Sequence, residues 1–489
     1  MIKTTITLFT SFLVLFSHAG AKSLEGTKPN IILVMTDDQG MGDLACMGNK
    51  VLKTPHIDRF YEGSTRFTDF QVSPTCTPTR AALMSGRSPF NVGISHTIFQ
   101  RERMALGVLT LPQALKRGGY TTGIFGKWHL GDGNEYLPGN RGFDEAIIHG
   151  AGGIGQVGLG DFPPNKEHLY FDNTLLHNDT IVKTKGYCTD IFFDSALSWI
   201  KRKEDVGVPY FAFISLNAPH APMVAPEKYT KRFVSLGYDD KTAGRYGMVE
   251  NLDDNFGKLM KKLTEWNALE NTIVIFMTDN GGTHLGGTLN GKRVKHFNAN
   301  LRGGKNSPFE GGSHVPFFIQ WEGKLEKGKD IAALVAHIDL YQTFTEVAGV
   351  ALPKKMQELD GRSLLPLLED PNAEWDDRQL FIHCGRWNPG ERDSAKFEKC
   401  AVRTARWRFV NNKYLFDILN DPSEKKDVAS AHPELVQKLR KDYDVWWDST
   451  LPLLVNEGLP KVKKHPLHIK YEKQLETTGI PEWAPEAIK

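Results

Sequence analysis

The sequence predicts an α/β protein in which a large, mainly parallel sheet flanked by helices precedes a smaller C-terminal α+β domain. Four continuous apolar runs are typical of strands that are buried on both faces. They are residues 30–36, 120–126, 210–216 and 272–278. Helical patterns lie before the last three of these runs, at residues 111–117, 190–202 and 246–263. Because strands that alternate with helices form parallel sheets, the pattern indicates a doubly wound fold.

Each of the four predicted strands is followed directly by polar, mostly ionisable side chains. These are Asp37 and Asp38, Lys127 and His129, Asn217 and His220, and Asp279 and Asn280. Asp, Asn and Gly also favour turns, so any one pair has an ordinary structural explanation. Since the carboxyl ends of parallel strands meet at one edge of a sheet, the four groups together predict one functional site there.

The pattern changes near residue 349. Short strand-like runs follow at residues 379–383, 400–403, 406–410 and 413–417. An amphipathic helix is predicted at residues 433–447, over a small antiparallel sheet. We predict a main α/β domain at residues 22–348, a C-terminal α+β domain at 349–465 and an extended, polar tail at 466–489.

The N-terminus has the composition of a secretory signal peptide at residues 1–21. A basic start at Lys3 precedes an apolar run at residues 6–16, and small residues at 19–21 supply a cleavage site. The alternative is an uncleaved membrane anchor. No later stretch is apolar enough to cross a bilayer, so we predict an exported protein, periplasmic or extracellular. Lys and Arg (60) nearly balance Asp and Glu (58), which gives no argument for a nucleic-acid partner.

The chain has five cysteines, an odd number that raises a question in an exported protein. Cys384 and Cys400 are close in sequence and could form a disulfide, although sequence alone does not establish one. Cys76 lies where a loop enters a predicted helix, and the free amides and dipole of a helix start lower a thiol pKa. A small buried residue at a helix start is the ordinary alternative.

The pentad Cys76-Thr77-Pro78-Thr79-Arg80 has the pattern Cys-x-Pro-Ser/Thr-Arg and resembles the type I sulfatases of the alkaline phosphatase superfamily. Three further segments resemble motifs of that family in the same order. They are residues 119–129, 217–222 and 301–312, the last with Lys305. The resemblance covers roughly residues 30–348 and implies an alkaline phosphatase-like fold and a sulfuric ester hydrolase.

Asp37, Asp38, Asp279 and Asn280 offer only oxygen ligands, which suit Ca²⁺ or Mg²⁺ rather than zinc. Two separate solvated turns are the alternative. The resemblance implies a Ca²⁺ site (Mg²⁺ is possible) at these four residues, completed by residue 76.

The resemblance also implies the mechanism. A maturation enzyme, either formylglycine-generating or anaerobic, converts Cys76 to formylglycine (3-oxoalanine), whose hydrate is the nucleophile. Its attack leaves a covalent sulfo-enzyme. The implied catalytic residues are Cys76, Arg80, Lys127, His129, His220 and Lys305. Arg80 and the metal stabilise the nucleophile, the lysines neutralise the sulfate, His220 protonates the leaving alcohol and His129 removes the proton that resets the aldehyde.

Specificity is predicted to come from polar and aromatic clusters outside the motifs. The candidate substrate-binding residues are His96, Arg101, Arg103, Arg293, His383, Arg386 and Trp387. Together with export, these clusters favour a sulfated carbohydrate over a small aryl sulfate. Two other functions stay open: a phosphodiesterase or phosphonate hydrolase of the same superfamily, and a non-catalytic relative that binds sulfated glycans.

Overall fold

A computed structural model of the protein describes residues 23–98 and 100–488, so the predicted signal peptide lies outside the described residues. The strands are β1 Asn30–Thr36, β2 Thr65–Gln71, β3 Thr121–Gly126, β4 Glu145–Ile148, β5 Thr174–His177, β6 Thr180–Lys183, β7 Tyr210–Ser215, β8 Thr272–Thr278, β9 Gly286–Leu289, β10 Lys292–Lys295, β11 Phe317–Trp321, β12 Asp330–Ala336, β13 Leu380–His383, β14 Cys400–Arg403, β15 Trp407–Val410 and β16 Tyr414–Asp417. The helices are α1 Pro55–Gly63, α2 Cys76–Ser85, α3 Leu111–Arg117, α4 Asn165–His168, α5 Cys188–Val206, α6 Glu227–Ser235, α7 Asp240–Glu265, α8 Glu310–Ser313, α9 Asp339–Val347, α10 Leu365–Glu369, α11 Pro433–Thr450 and α12 Pro466–Thr477.

The large sheet has ten strands in the order β12-β2-β11-β8-β1-β7-β3-β4-β5-β6. Its centre, from β8 to β4, is parallel. The edges are mixed, since β11 runs antiparallel to β8 and β5 runs antiparallel to β4. The predicted α/β class with a mainly parallel sheet is therefore confirmed.

Strand β1 shows why the sheet is covered on both faces. Ile31, Leu33 and Met35 belong to one hydrophobic cluster, whereas Ile32 and Val34 belong to the cluster on the other face. A continuous apolar run fits this arrangement because successive side chains point to opposite faces. The four strands predicted to deliver polar residues are β8, β1, β7 and β3, which are adjacent and parallel.

The C-terminal region contains a four-stranded antiparallel sheet in the order β13-β14-β15-β16. Helix α11 packs on it through Leu439, Tyr443 and Trp447, which share a cluster with Val402 and Phe409 of the sheet. The small antiparallel sheet and its helix are confirmed. Cys384 and Cys400 are free thiols, as are the other three cysteines, so the suggested disulfide is absent.

The prediction of an extended tail at residues 466–489 is wrong for its first half, whereas Glu482 in the second half forms a parallel bridge with Lys183. Residues Pro466–Thr477 form helix α12, and Leu467 is buried. Pro466 begins the helix instead of interrupting it, because a first turn tolerates the missing amide and the fixed φ of proline. The Gln474 side chain bonds both the N–H and the carbonyl of Ile181 on β6. Among the described residues, no helix is both long and apolar enough to cross a membrane.

Candidate active site

The thiol of Cys76 lies at the first residue of helix α2, at the carboxyl edge of the large sheet, and is buried. Thr75 before it is extended, so the chain turns into the helix at the cysteine. Burial raises the pKa of the Cys76 thiol, but the positive charges of Lys127 and Lys305 outweigh that effect and lower it overall. The predicted position of Cys76 at a helix start is confirmed.

Two neighbouring strands bring four oxygen-bearing side chains to the same place. Asp37 and Asp38 follow β1, Asp279 and Asn280 follow β8, and these strands pair in register at Thr36 and Thr278. The Asp38 N–H donates to Asp279 Oδ1 at 3.2 Å, and Asn280 Nδ2 donates to Asp38 Oδ1 at 2.9 Å. Ligand atoms of Asp37, Cys76 and Asp279 all lie within 4.8 Å of one another.

These residues fit a divalent cation. Asp37 Oδ1 and Asn280 Oδ1 are buried and accept no hydrogen bond from a described residue. Burial and the neighbouring charge of Asp37 raise the pKa of Asp279, although Arg80 opposes this. A bound cation would satisfy the unpartnered oxygens and would favour ionised carboxylates. Carboxylate and amide oxygens suit Ca²⁺ or Mg²⁺.

Each of the three carboxylates has its own basic partner. Lys127 Nζ lies 2.7 Å from Asp37 Oδ2, and Lys305 Nζ lies 2.6 Å from Asp38 Oδ1. Arg80 Nη2 lies 2.9 Å from Asp279 Oδ2. The Nη1 atom of Arg80 donates to the carbonyl of Lys127 at 2.9 Å, so this arginine joins α2 to the end of β3.

His129 faces the thiol. Its Nε2 lies 2.9 Å from the Thr97 carbonyl, which can only accept, so Nε2 carries the proton. The bare Nδ1 then lies 3.5 Å from Cys76 Sγ and 3.0 Å from Thr77 Oγ1. Burial, reinforced by Lys127, lowers the pKa of His129 well below its ordinary value. His129 is therefore a neutral imidazole whose Nδ1 lone pair faces both the Thr77 hydroxyl and residue 76.

His220 approaches the same carboxylates from the end of β7. Its Nδ1 donates to the carbonyl of Ala221 at 2.7 Å, and its Nε2 lies 3.8 Å from Asp38 Oδ2. Tyr170 donates its hydroxyl to the carbonyl of His220 at 2.7 Å and so fixes the backbone there. The six predicted catalytic residues and the five predicted metal ligands, with Cys76 in both sets, thus lie in one cluster.

Several residues of the site were not identified from sequence. Ser215, at the end of β7, accepts from Arg80 Nη1 at 2.5 Å, and Thr97 fixes the tautomer of His129. Gly152 lies against the His129 ring, where a Cβ would come within 2.5 Å of ring atoms. Ser215 ends an apolar run and could have been suspected on that basis. The other two lie in loops whose approach is set by tertiary packing.

The predicted substrate-binding residues fall into three groups. Arg386 donates to Thr97 Oγ1 at 2.9 Å, and the charges of Arg386 and His129 both act on His96, so these residues border His129. Arg101, Trp387 and His383 are buried; Arg101 pairs with Glu457 and stacks on Trp387, and His383 bonds the Ala395 carbonyl. Arg103 faces Asp132, and Arg293 is exposed on β10. Their roles in binding stay predictions.

A cavity of about 190 Å³ adjoins His129. Its wall includes Trp128, His149, Glu102, Asp132 and His465. His149 donates from Nδ1 to the Gly150 carbonyl, and its Nε2 is buried without a hydrogen-bond partner among the described residues, as is Glu102 Oε2. Burial lowers the pKa of His149 to about 3, so it is neutral and Nε2 is an acceptor. The cavity is therefore lined by polar side chains and by the indole ring of Trp128.

Comparisons with known proteins agree with this geometry. The Sulfatase family model matches residues 29–350, and the model for the N-sulphoglucosamine sulphohydrolase C-terminal region matches residues 305–445. The uncharacterized sulfatase YdeN of Escherichia coli (strain K12) is 27% identical over 87% of each chain. N-acetylgalactosamine-6-sulfatase of Canis lupus familiaris is 30% identical over 76% of this chain and 72% of that protein.

A solved structure, Ps i-CgsB in complex with k-i-k-neocarrahexaose, superimposes with a TM-score of 0.77 and 28% identity. The match covers 92% of this chain and 98% of that one. The family model covers more than half of the chain, and the fold and the cluster around Cys76 fit it. The chain belongs to the sulfatase family and is a sulfuric ester hydrolase.

Proposed function

We propose that this protein removes sulfate from a sulfated carbohydrate, with formylglycine at position 76 as the nucleophile. The observation that carries the proposal is the buried Cys76 thiol among the Asp37, Asp38 and Asp279 carboxylates, with the bare Nδ1 of His129 at 3.5 Å. The Sγ atom stands where an oxygen of the hydrated aldehyde would lie after maturation.

The aldehyde forms when a maturation enzyme oxidises the Cys76 side chain, which loses H₂S and gains one oxygen. Hydration gives two hydroxyl groups on one carbon. One gives its proton to water and attacks sulfur, which breaks the bond between sulfur and the alcohol oxygen. The other is needed later to expel the product. A plain cysteine or serine has no second hydroxyl and could not reset in this way.

Asp37, Asp38, Asp279, Asn280 and residue 76 would hold Ca²⁺, with Mg²⁺ as the alternative. The cation supplies positive charge for the sulfate oxygens and for the nucleophile. Lys127 and Lys305 lie on the same side of the site, each within 2.7 Å of a carboxylate. Both can neutralise the charge with which a sulfate ester repels an incoming nucleophile.

Two histidines then move protons. His220 presents Nε2, which can carry a proton to the leaving alcohol oxygen while the Ala221 carbonyl holds Nδ1–H. The sulfate is now bound to residue 76. His129 accepts the proton of the second hydroxyl at its bare Nδ1, the carbon–oxygen double bond reforms and sulfate leaves. Water rehydrates the aldehyde for the next turnover.

A carbohydrate substrate is supported by the relatives and by the cavity beside His129. One relative is named for N-acetylgalactosamine 6-sulfate, and one solved structure holds a neocarrahexaose. Trp128, His149 and Glu102 line this cavity, and Arg386 borders the same region, so an aromatic ring and polar side chains are available to a sugar. We also propose that residues 1–21 direct export, which would bring the enzyme to such glycans.

Mass spectrometry of the peptide that contains Cys76 tests the nucleophile. Protein from a host with a maturation enzyme is expected to show the loss of H₂S and the gain of one oxygen. Purified enzyme should then release sulfate from sulfated oligosaccharides, and Cys76→Ala should not. An unmodified thiol in active protein would refute the proposed nucleophile. Turnover of aryl sulfates without turnover of any sulfated glycan would refute the proposed substrate.

The cation is tested by stability as well as by activity. Chelation should abolish sulfate release, and Ca²⁺ should restore it and raise the melting temperature, because a ligand that binds only the folded state stabilises it. Asp37→Asn should lose most of the Ca²⁺-dependent shift. Equal shifts in the parent and the variant would rule out this site as the place of binding.

A further inference from the structure

The segment at residues 280–309 has a charge pattern that differs from the rest of the chain. It contains five lysines and arginines and no aspartate or glutamate, whereas the whole chain has 60 basic and 58 acidic residues. The basic residues are Lys292, Arg293, Lys295, Arg302 and Lys305. Only Lys305 belongs to the catalytic cluster, so the proposed reaction does not explain the other four.

The segment leaves the active site and returns to it. It begins at Asn280, after β8, and the Lys305 N–H donates to the Gly282 carbonyl at 3.0 Å. The chain between them forms the antiparallel hairpin of β9 and β10. Asn290 and Gly291 form its turn with φ values of 49° and 75°, a geometry that Asn-Gly favours. The hairpin therefore starts and ends at the rim of the site.

The hairpin is fixed to the body of the protein. The Asp239 N–H donates to the Thr288 carbonyl at 3.0 Å, and the Asn290 N–H donates to the Gly237 carbonyl at 2.8 Å. The Thr288 N–H donates in turn to the Asp239 carboxylate. Strand β9 is thus held against the start of α7, and β10 is the outer strand.

Arg293 and Lys295 lie on one face of this outer strand. They pair with Thr288, which is small, and with Gly286, which has no side chain, so that face stays open. Two residues along a strand are separated by roughly 7 Å, so the two charges form a short row. Lys292 lies next to the turn, and all three basic residues are exposed. No carboxylate among residues 23–98 and 100–488 forms an ion pair with them.

His284 lies in the chain between Asn280 and β9. Burial and the charges of Lys241, Arg245 and His220 lower its pKa, although Asp38 opposes this, so its ring adds no positive charge to the row. Lys305 and the three basic residues of the hairpin therefore supply the positive charge of this segment together with Arg302.

We propose that the β9–β10 hairpin binds additional sulfate groups of a polysulfated glycan while one sulfate ester occupies the active site. The inference rests on the proposed function and narrows its substrate class to chains with several sulfate groups. Exposed ion pairs are individually weak and are screened by salt, so the contribution should be the sum of several contacts and should depend on ionic strength.

Direct binding tests the hairpin without any turnover. The parent for this experiment is the full chain with Cys76→Ala, and the probe is dextran sulfate, with neutral dextran as the blank. Adding Lys292→Gln, Arg293→Gln and Lys295→Gln should raise the dissociation constant about tenfold at low salt. The difference should disappear near 1 M salt, where the Debye length is about 3 Å.

A matched control removes three lysines at the opposite edge of the sheet, Lys324, Lys327 and Lys329, in the turn between β11 and β12. This variant should bind like the parent, and both variants should melt at the parent's temperature. Equal losses in both variants, or no loss in the hairpin variant, would overturn the inference. Hairpin-dependent binding of polyglutamate or DNA as tight as that of dextran sulfate would also overturn it.

The outcomes separate this inference from the proposed function. If removing the basic residues of the hairpin does not weaken binding, while the enzyme still releases sulfate from glycans, only the inference about the hairpin is refuted. The native protein could instead lack formylglycine and release no sulfate, and still bind dextran sulfate through the hairpin. That result would refute the proposed function, and binding of a polysulfated chain would remain as the role of the protein.

Discussion

At the residue scale, the candidate active site is organised by charge balance. Asp37, Asp38 and Asp279 are matched one to one by Lys127, Lys305 and Arg80. The six side chains together carry no net charge when all are ionised, so a divalent cation would leave the site with two positive charges. That excess complements a sulfate ester with one negative charge and an attacking oxygen that develops another.

The cavity beside His129 leads to a pH prediction at Glu102. Burial and nearby Asp132 raise its pKa to about 7, although a backbone hydrogen bond, Arg103 and His465 oppose this. The folded state then binds more protons than the unfolded state between pH 4.5 and 7, so the contribution of Glu102 to stability falls as pH rises through that window.

Glu102→Gln removes this titration. The difference in melting temperature, variant minus parent, should increase by about 2 °C between pH 4.5 and pH 7.5 when both proteins are measured in parallel scans. Glu135→Gln changes a residue of the same loop region whose side chain is exposed, and it serves as the control. A constant difference between Glu102→Gln and the parent across this range would contradict the assigned pKa.

At the element scale, the parts predictable from sequence were those with a local physical signature. Buried parallel strands such as β1 and β8 are continuous apolar runs, and the residues after them share an edge because the strands are parallel. The cluster around Cys76 followed from these rules together with the family motifs. The lining of the site could not be predicted in this way, because Thr97 and Gly152 reach His129 through loop packing that has no local sequence pattern.

Helix α12 is an element that could not be predicted from sequence for the same reason. Its polar composition and flanking prolines are typical of a tail, and its position depends on contacts with β6 that lie almost 300 residues away in sequence. Gln474 accepts from the Ile181 N–H at 2.8 Å and donates to the Ile181 carbonyl at 2.7 Å. One side chain thus replaces a neighbouring strand at this sheet edge.

We therefore expect Gln474→Ala to lower the free energy of unfolding by about 1–3 kcal/mol, because it leaves two backbone groups without partners. Amide hydrogen exchange should become faster at Ile181 on β6. A general loss of helix α12 would instead speed exchange along the helix as well. Lys473→Ala changes an exposed neighbour on the same helix and should have little effect. Equal effects of the two substitutions would show that the contact with Ile181 adds no stability.

At the scale of the whole molecule, the C-terminal sheet holds the segment that contains Lys305, one of the proposed catalytic residues. Glu310 follows the Lys305 segment and is buried between Arg403 of β14 and Arg408 of β15, at 2.9 Å and 2.5 Å. His314 lies 2.9 Å from the same carboxylate. Strands β14 and β15 therefore contribute to the candidate site indirectly, since they fix the chain that presents Lys305.

This arrangement predicts that Glu310→Gln destabilises the protein by about 3 kcal/mol, because it removes the anion that two buried guanidinium groups share. Arg403 keeps Asp69 at 2.8 Å, and Arg408 keeps Glu424 at 3.6 Å. Burial acts against ionisation of Glu310, but Arg403 and Arg408 outweigh it and lower its pKa, so the parent's advantage is present above pH 4.5 and is lost as pH falls below it. Urea unfolding of both proteins at pH 7 and at acidic pH measures this difference.

The matched control is Asp417→Asn, which breaks the pair between Asp417 and Arg406 on the same sheet. Because Arg406 is exposed, this substitution should cost less than about 1 kcal/mol. Folded Glu310→Gln should also release sulfate more slowly than the control, since the Lys305 segment loses its support. If both variants lost stability equally and kept the parent's rate, the C-terminal sheet would have no part in positioning Lys305.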